Sequence, residues 1–309
     1  MEISKEDLPE HWDIAFIDAD VLKYSAGFAA EKTWYNLYDS GDNLVDRFDS
    51  AKSCDDHLAE LSEFLMIDTE GYYRVADKVI GEEEHALNAC DTIIRFIKSR
   101  IKSDNYKFYL SGKGNFRDSV ATLYKYGHNR DKVVKPYWIN SVVEHLKKEY
   151  QAVMTDGIEG DDQIGVGLTS RNKKGEKAIH VGVDKDIKFG IAGYHFDFKA
   201  DKFYYTSEEE ALRFNYCQGI CGDATDGFHG IPGIGMKKAE KILAECETEE
   251  EMYEAALKAY QDYYGDTHKY TSWDGRELIK TYEELFLENM TLGWIMKEKG
   301  KIYNPPVKS

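Results

Sequence analysis

Residues 178–186 read AIHVGVDKD, an apolar run that closes on two aspartates, Asp184 and Asp186. A run of this length with β-branched members, stopped by charge, reads as a short strand. Working outward, the same punctuation recurs. Residues 12–18, WDIAFID, close another apolar run on Asp18, and residues 107–110 form a third short strand before the glycine-bearing SGKG at 111–114. Helical apolar spacing occupies residues 21–30, 51–65, 82–101 and 159–168, and Pro136 starts a helix running to about Tyr150. Strands alternating with helices predict an α/β fold, a parallel sheet flanked by helices on both faces. Residues 33–38 and 44–48, joined by SGDN, read as a hairpin. From Ser207 onward the pattern is almost wholly helical, and residues 304–309 read as a loose tail.

A chain of 309 residues can bury a full core, as one large domain or two unequal ones. No run of about 18 apolar residues occurs, which argues against a membrane span, and the acidic, polar start lacks the features of a signal peptide. The five cysteines form no metal-type pairing. Cys217 and Cys221 read as two core-facing positions on a helix rather than a ligand pair, and a reducing, intracellular setting is expected. The net charge of −17 is unevenly spread. Residues 1–94 hold seven Lys/Arg against twenty-three Asp/Glu, whereas residues 95–148 hold thirteen against four. One basic stretch in an acidic background suits local neutralisation of phosphates, although a solvated basic surface would look the same by charge alone.

Four groups of carboxylates stand where elements begin or end: Asp18; Glu159, Asp161 and Asp162 in IEGDDQIG; Asp184 and Asp186; and Asp223 and Asp226 in CGDATDG. Taken singly, acidic residues in a first helical turn or a loop are ordinary. In a parallel α/β sheet, however, ligands collect beyond the carboxyl ends of strands. Carboxylates gathered there raise one another's pKa unless cations separate them, and an oxygen-only donor set selects Mg²⁺ or Mn²⁺ over zinc. Two such ions about 4 Å apart activate water and stabilise the attacking and leaving oxygens in phosphodiester hydrolysis. No GxSxG elbow, P-loop or HExxH motif competes.

Residues 228–243, FHGIPGIGMKKAEKIL, add a second kind of signal. Gly230, Gly233 and Gly235 permit tight turns, Pro232 stiffens the entry, and Lys237 and Lys238 fall in the first turn of a helix. Backbone N–H groups beside two ammonium groups make a clamp for a phosphate backbone, without sequence preference. The plainer alternative is a helix–turn–helix packing unit whose glycines serve close approach.

Asp18 after a strand, then IEGDD, VDKD and GDATDG followed by GIPGIGMKKA, resembles the phage and bacterial 5′–3′ exonuclease and flap endonuclease family. The resemblance runs from Trp12 to about Leu243. It implies a PIN-like 5′ nuclease domain over residues 1–206, with a hairpin and helical insertion at 31–94 and a helical arch at about 112–135. A mostly helical C-terminal domain would follow at 207–309, containing a helix–three-turn–helix at 222–245 that grips duplex DNA, with a bound K⁺. By the same resemblance, Asp18, Glu159 and Asp161 would hold a first metal ion. Asp184, Asp186, Asp223 and Asp226 would surround a second, with Asp162 a partner of either. In FYLSGKGNFRDSVATLYKYGHNR (108–130), Arg117, Lys125 and Arg130 would grip the scissile phosphate, while Gly233, Gly235, Lys237 and Lys238 would hold the duplex.

Two departures stand out. Ser111 occupies about the position where the family has a further aspartate, and YKYGHNR is stretched by two residues. The expected activity is Mg²⁺- or Mn²⁺-dependent hydrolysis of DNA at or near a 5′ end, in the cytoplasm, that of a host cell if the chain is phage-encoded. Two alternatives remain open at this level: preference for the RNA strand of RNA–DNA hybrids, and a DNA-structure-binding protein whose catalysis is weakened at Ser111.

Overall fold

The strand Ile14–Asp18 is buried at all five positions, because it lies in the middle of a sheet covered on both faces. The computed structural model describes residues 2–128 and 133–306, apart from the side chain of Lys5. Ile14–Asp18 pairs in parallel with Tyr106–Ser111 on one side and with Ala178–Val181 on the other. Gly193–Asp197 and Val153–Thr155 extend the parallel core outward. Lys202–Thr206 and then Glu2–Ile3 add antiparallel strands at one edge. The order across the seven-stranded sheet is thus Glu2–Ile3, Lys202–Thr206, Gly193–Asp197, Ala178–Val181, Ile14–Asp18, Tyr106–Ser111, Val153–Thr155. The predicted α/β parallel sheet is present. Its register sets Asp18 level with Tyr109, Ile17 level with Val181 and Ser111 level with Thr155. The carboxyl ends of the central strands therefore come out along one side of the sheet.

Helix Gly160–Lys173 packs on this sheet through Ile164 and Leu168, which meet Ile14, Phe16, Ala178, Ile187 and Ile191. Each such side chain contributes about 1.5–3 kcal/mol by burial. The helix lies so close that a Cβ added at Gly167 would stand 2.6 Å from the Phe16 ring. This contact fixes the depth at which the helix, and the carboxylates at its start, meet the strands.

Residues after Ser207 build a helical layer from Glu208–Cys221, Met236–Ile242, Glu249–Tyr264 and Tyr282–Gly293. Ser207, Thr248 and Thr281 each open a helix with a capping box whose glutamate stands three residues on. Tyr216, Ile220, Ala256, Tyr260, Phe286 and Met290 form the core between them. This part is not wholly helical. Thr267–Thr271 and Glu277–Thr281 pair as an antiparallel hairpin, whose Asp274–Gly275 turn is the signal that the helical reading passed over.

The chain separates into two compact units, and not at 206/207. Met1–Val21, Phe96–Val134 and Leu146–Ser309 form one, so both sides of that expected boundary share it. Leu22–Arg95 with Lys135–His145 forms the other. Within the second unit, Glu31–Tyr38 is flanked by Leu44–Phe48 and Tyr73–Ile80 in an antiparallel sheet, and helix Ala51–Glu63 covers Leu37 with Cys54 and Leu61. The hairpin matches the expectation; the third strand, exposed along its length, was not foreseen.

The expected helical arch also differs. Among the described residues of 112–135, only Arg117–Val120 is α-helical. The Glu288 carboxylate accepts the N–H groups of Thr122 and Leu123 at 2.6 and 3.2 Å, and the Trp273 N–H donates to the Thr122 carbonyl. Backbone groups captured in this way cannot enter a helical ladder.

Candidate metal centre

Each carboxylate group is delivered by a local structural rule. Asp18 ends its strand and caps helix Ala19–Ala29, its Oδ1 accepting the N–H groups of Asp20 and Val21 at 2.9 and 3.3 Å. Asp184 does the same for helix Lys185–Gly190, accepting the Asp186 N–H at 2.7 Å. Glu159 is the N-cap of Gly160–Lys173 and Asp161 lies in its first turn. Asp223 and Asp226 follow Gly222, whose φ of +72° ends helix Glu208–Cys221, and Asp223 accepts the Thr225 N–H at 2.8 Å. Asp223 and Asp226 follow a helix end and gain nothing from its dipole, but helix starts favour negative charge, so the other five placements are locally cheap.

Gathered together, they are not. Glu159, Asp161, Asp184, Asp186 and Asp226 line a cavity of about 30 Å³, with Tyr126 and Gln218. That is room for roughly two water-sized species. Asp186, Asp223 and Asp226 bring carboxylate oxygens within 4.8 Å of one another. Burial, then the charges of Asp20 and Asp184, push Asp18 up to about 7. Asp161 is raised well above the usual range by burial and by Asp18, Asp184 and Glu159. Asp186 is pushed up to about 7 by burial and by Asp184, against the pull of Lys185. Burial likewise opposes ionisation of Asp223, but the Lys185 ammonium at 2.6 Å and the Thr225 N–H outweigh it and hold this carboxyl low. The donor set is all oxygen and carries more negative charge than its neighbourhood neutralises. That is the chemistry of a site for hard divalent cations.

Seven of the eight expected metal-site carboxylates therefore come together: Asp18, Glu159, Asp161, Asp184, Asp186, Asp223 and Asp226. Asp162 does not belong with them. It is fully buried, and both its oxygens are taken. Oδ2 accepts from Arg117 at 2.8 Å and from the Glu159 N–H at 3.2 Å; Oδ1 accepts from Arg117 at 2.9 Å and from the Met296 N–H at 3.0 Å. Arg117 is corrected with it. Its remaining donors go to the Leu292 and Trp294 carbonyls and to Asn115, so no N–H is left for a phosphate. The pair holds the helix start that carries Glu159 and Asp161.

Lys125 is exposed and lines a neighbouring cavity of about 320 Å³ with Asp118, Tyr126, Gly127 and Trp273. The Tyr126 hydroxyl donates to Glu159 at 3.3 Å and so connects that cavity to the carboxylates. Arg130 lies outside the described residues. Gly233, Gly235, Lys237 and Lys238 are exposed at the turn entering helix Met236–Ile242; Gly233 takes a φ of +78° with open space around it. Sequence reasoning missed Lys185, Gln218, which donates to Asp186 at 2.9 Å, and Asp20, whose Oδ2 accepts the Ser111 N–H at 2.9 Å. Asp20 was legible as a second acid two residues after Asp18; Gln218 carried no signal, since nothing local marks a helical glutamine as facing a site.

No established family profile matches the chain. A 5′–3′ exonuclease of Buchnera aphidicola is 28% identical over 155 residues, 46% of this chain and 53% of that one. A DNA polymerase I of Bacillus caldotenax is 25% identical over 235 residues, 70% of this chain and 24% of that one. An exodeoxyribonuclease of Enterobacteria phage T3 is 33% identical over 114 residues, 36% of this chain and 37% of that one. The chain spans about half the length of the first of these curated relatives and less of the others. Among solved structures, the T5 D15 protein co-crystallized with metal ions superposes with a TM-score of 0.53 at 12% identity, covering 90% of this chain and 88% of that one. The two share a fold, and the resemblance read from the motifs is to the same group of proteins.

Proposed function

We propose that this chain is a metal-dependent 5′–3′ exonuclease and structure-specific 5′ flap endonuclease acting on DNA. The observation that carries the proposal is the convergence of seven carboxylates, from four separate segments, around one small cavity lined by Glu159, Asp161, Asp184, Asp186 and Asp226. A packed core does not collect that much like charge without a cation to receive it. The names of the relatives, exonuclease and exodeoxyribonuclease, support the reaction class and DNA as substrate.

Asp18, Glu159 and Asp161 would hold one Mg²⁺ or Mn²⁺; Asp184, Asp186, Asp223 and Asp226 would hold the other. When bound, such a pair supplies charge stabilisation for both the attacking and the leaving oxygen of a phosphodiester. The remaining work falls to the protein's own groups. Arg117 and Asp162 fix the helix start behind Glu159 and Asp161. Gln218 orients Asp186, and Tyr126 orients Glu159. Lys125, beside the cavity that adjoins the carboxylates, would meet the phosphate that is cut. Lys237 and Lys238 would grip the duplex backbone at a distance from the chemistry, where K⁺ would be an additional ligand of the turn.

The test is a time course on a 5′-labelled flap duplex, a blunt duplex and an RNA–DNA hybrid. Metal-dependent release of labelled 5′ products from the DNA substrates is expected, their lengths dividing exonuclease from flap cutting. Binding without cleavage under either metal would refute the proposal.

A further inference from the structure

The hairpin Thr267–Thr271/Glu277–Thr281 carries a tryptophan at its turn, and the turn is firmly built. Ser272 is buried and donates both its N–H and its hydroxyl to the Arg276 carbonyl, at 2.8 and 2.9 Å. The hairpin is also docked. The Tyr270 and Thr122 hydroxyls share a hydrogen bond at 2.7 Å, the Trp273 N–H donates to the Thr122 carbonyl at 3.1 Å, and the indole Nε1 donates to the Ala121 carbonyl at 3.0 Å. Held in this way, Trp273 is still 46% exposed. Nε1 is the sole polar atom of its side chain and is already bonded, so what the side chain offers its surroundings is ring surface.

That ring lines the cavity of about 320 Å³, with Asp118, Lys125, Tyr126 and Gly127. The volume stands at the lower end of the range for small-ligand pockets, about 300–1,000 Å³, which suits a single nucleotide unit. Tyr126 is a wall both of this cavity and of the smaller one among the carboxylates, and its hydroxyl donates to Glu159 at 3.3 Å. A nucleotide in the larger space is therefore one side chain away from the metal position. Tyr126 has little ring to give, since it is packed with Ala121, Phe228 and Leu292. Among the described lining residues, Trp273 is the aromatic that presents its ring. Bracing residues 121–122 does not account for it: the Trp273 backbone N–H and Tyr270 already make that attachment, and an indole left half in water forgoes part of its burial energy.

Resting on the nuclease reading above, we infer that Trp273 is a substrate-binding residue whose indole stacks on the base of a nucleotide bordering the scissile phosphate, while Lys125 meets the phosphate itself. Stacking uses the π face that every base has, so Trp273 positions the nucleotide without reading its identity. The hairpin near the C-terminus is thereby part of the substrate site.

The experiment measures kcat/KM in Mn²⁺ on a 5′-labelled flap duplex for wild type, Trp273→Phe and Trp273→Ala. Each is assayed on the intact strand and on strands with an abasic nucleotide placed in turn on either side of the cut, whose position the product lengths give. Trp273→Ala is expected to lose about 10- to 100-fold on the intact strand, and Trp273→Phe, which keeps a ring but loses the Nε1 tether, to recover most of it. One of the two abasic strands should cost wild type a similar factor and cost Trp273→Ala almost nothing further, because the same contact has already gone. A tryptophan that only braced the hairpin would lose equally on intact and abasic strands, and that result would overturn the inference. So would wild-type cleavage indifferent to both abasic positions, a comparison that holds even if Trp273→Ala folds poorly. Failure of wild type to cut any strand would overturn the nuclease reading along with it.

Discussion

The ammonium of Lys185 lies 2.6 Å from Oδ2 of Asp223 and 3.9 Å from Oδ1 of Asp186, so a side-chain cation already reaches into the oxygens proposed to hold a divalent ion. Lys185 and that ion compete for the same electrostatic position. Replacing Lys185 with Met should lower the melting temperature in EDTA, where the lysine offsets repulsion. It should also enlarge the rise on adding Mn²⁺, where competition is gone. Scanning calorimetry in both conditions checks this, and a smaller Mn²⁺ increment than in wild type would contradict it.

Arg117 and Asp162 form a buried, two-pronged ion pair at 2.8 and 2.9 Å. Removing Arg117 leaves Asp162 buried without a counter-ion, and removing Asp162 leaves Arg117 with only the Glu159 carboxylate at 3.4 Å; breaking such a buried pair costs about 3–5 kcal/mol. Arg117→Ala and Asp162→Asn should each shift urea unfolding by an amount of that order. If Arg117→Ala unfolded like wild type yet lost cleavage, the arginine would return to a phosphate-gripping role.

The raised carboxyls make metal-free stability depend on pH. Asp18 and Asp186 are both pushed up to about 7 from an ordinary 3.8. Between about pH 4 and pH 7 the unfolded chain has released these protons and the folded chain has not, so the folded state binds more protons and loses stability as pH rises. Each tenfold difference in proton affinity between the two states corresponds to about 1.4 kcal/mol at most. In EDTA the melting temperature should fall across this window and level off above about pH 7. With saturating Mg²⁺ the decline should be largely removed, because the ion stabilises the ionised form. A metal-free melting temperature that rises from pH 4 to pH 7 would show that other groups outweigh this pair.

Lys237 and Lys238 are exposed at the start of helix Met236–Ile242, so their loss should leave stability within about 0.5 kcal/mol. If both neutralise phosphates, replacing them with Ala should reduce the slope of log K against log salt by roughly 2. Anisotropy of a labelled duplex, measured across a salt series with Asp184→Asn/Asp186→Asn to prevent cutting, reads that slope directly. Repeating it in NaCl and KCl tests the turn for potassium. An unchanged slope would remove the two lysines from the duplex-binding surface.

The parallel sheet was legible because its central strands are buried on both faces and therefore read as unbroken apolar runs, IAFI and AIHV. The strands Gly193–Asp197 and Lys202–Thr206, GYHFD and KFYYT, mix aromatic residues with polar and charged ones instead of forming an aliphatic run, and they passed unnoticed near a dominant helical pattern. Carboxylates placed by helix starts were equally legible, since capping and metal ligation favour the same residue types at the same positions. That overlap is also why Asp162 misled: its place beside Asp161 in sequence says nothing of the buried arginine 45 residues away that consumes it. Arg117 misled for the same reason, as a basic residue in a basic stretch whose partners lie far along the chain. Asp20 was visible as a residue, but its nearness to Ser111 exists only once the sheet and the first helix are assembled.

The most direct test of the carboxylate centre compares wild type with Asp184→Asn/Asp186→Asn on a 5′-labelled flap duplex, in Mn²⁺ and in EDTA. Wild type should release labelled 5′ products in Mn²⁺ alone, and the double variant should bind the duplex while cutting at least about a hundredfold more slowly. Cleavage that survives the two substitutions, or that persists in EDTA, would contradict the assignment of this centre as the seat of a metal-dependent nuclease.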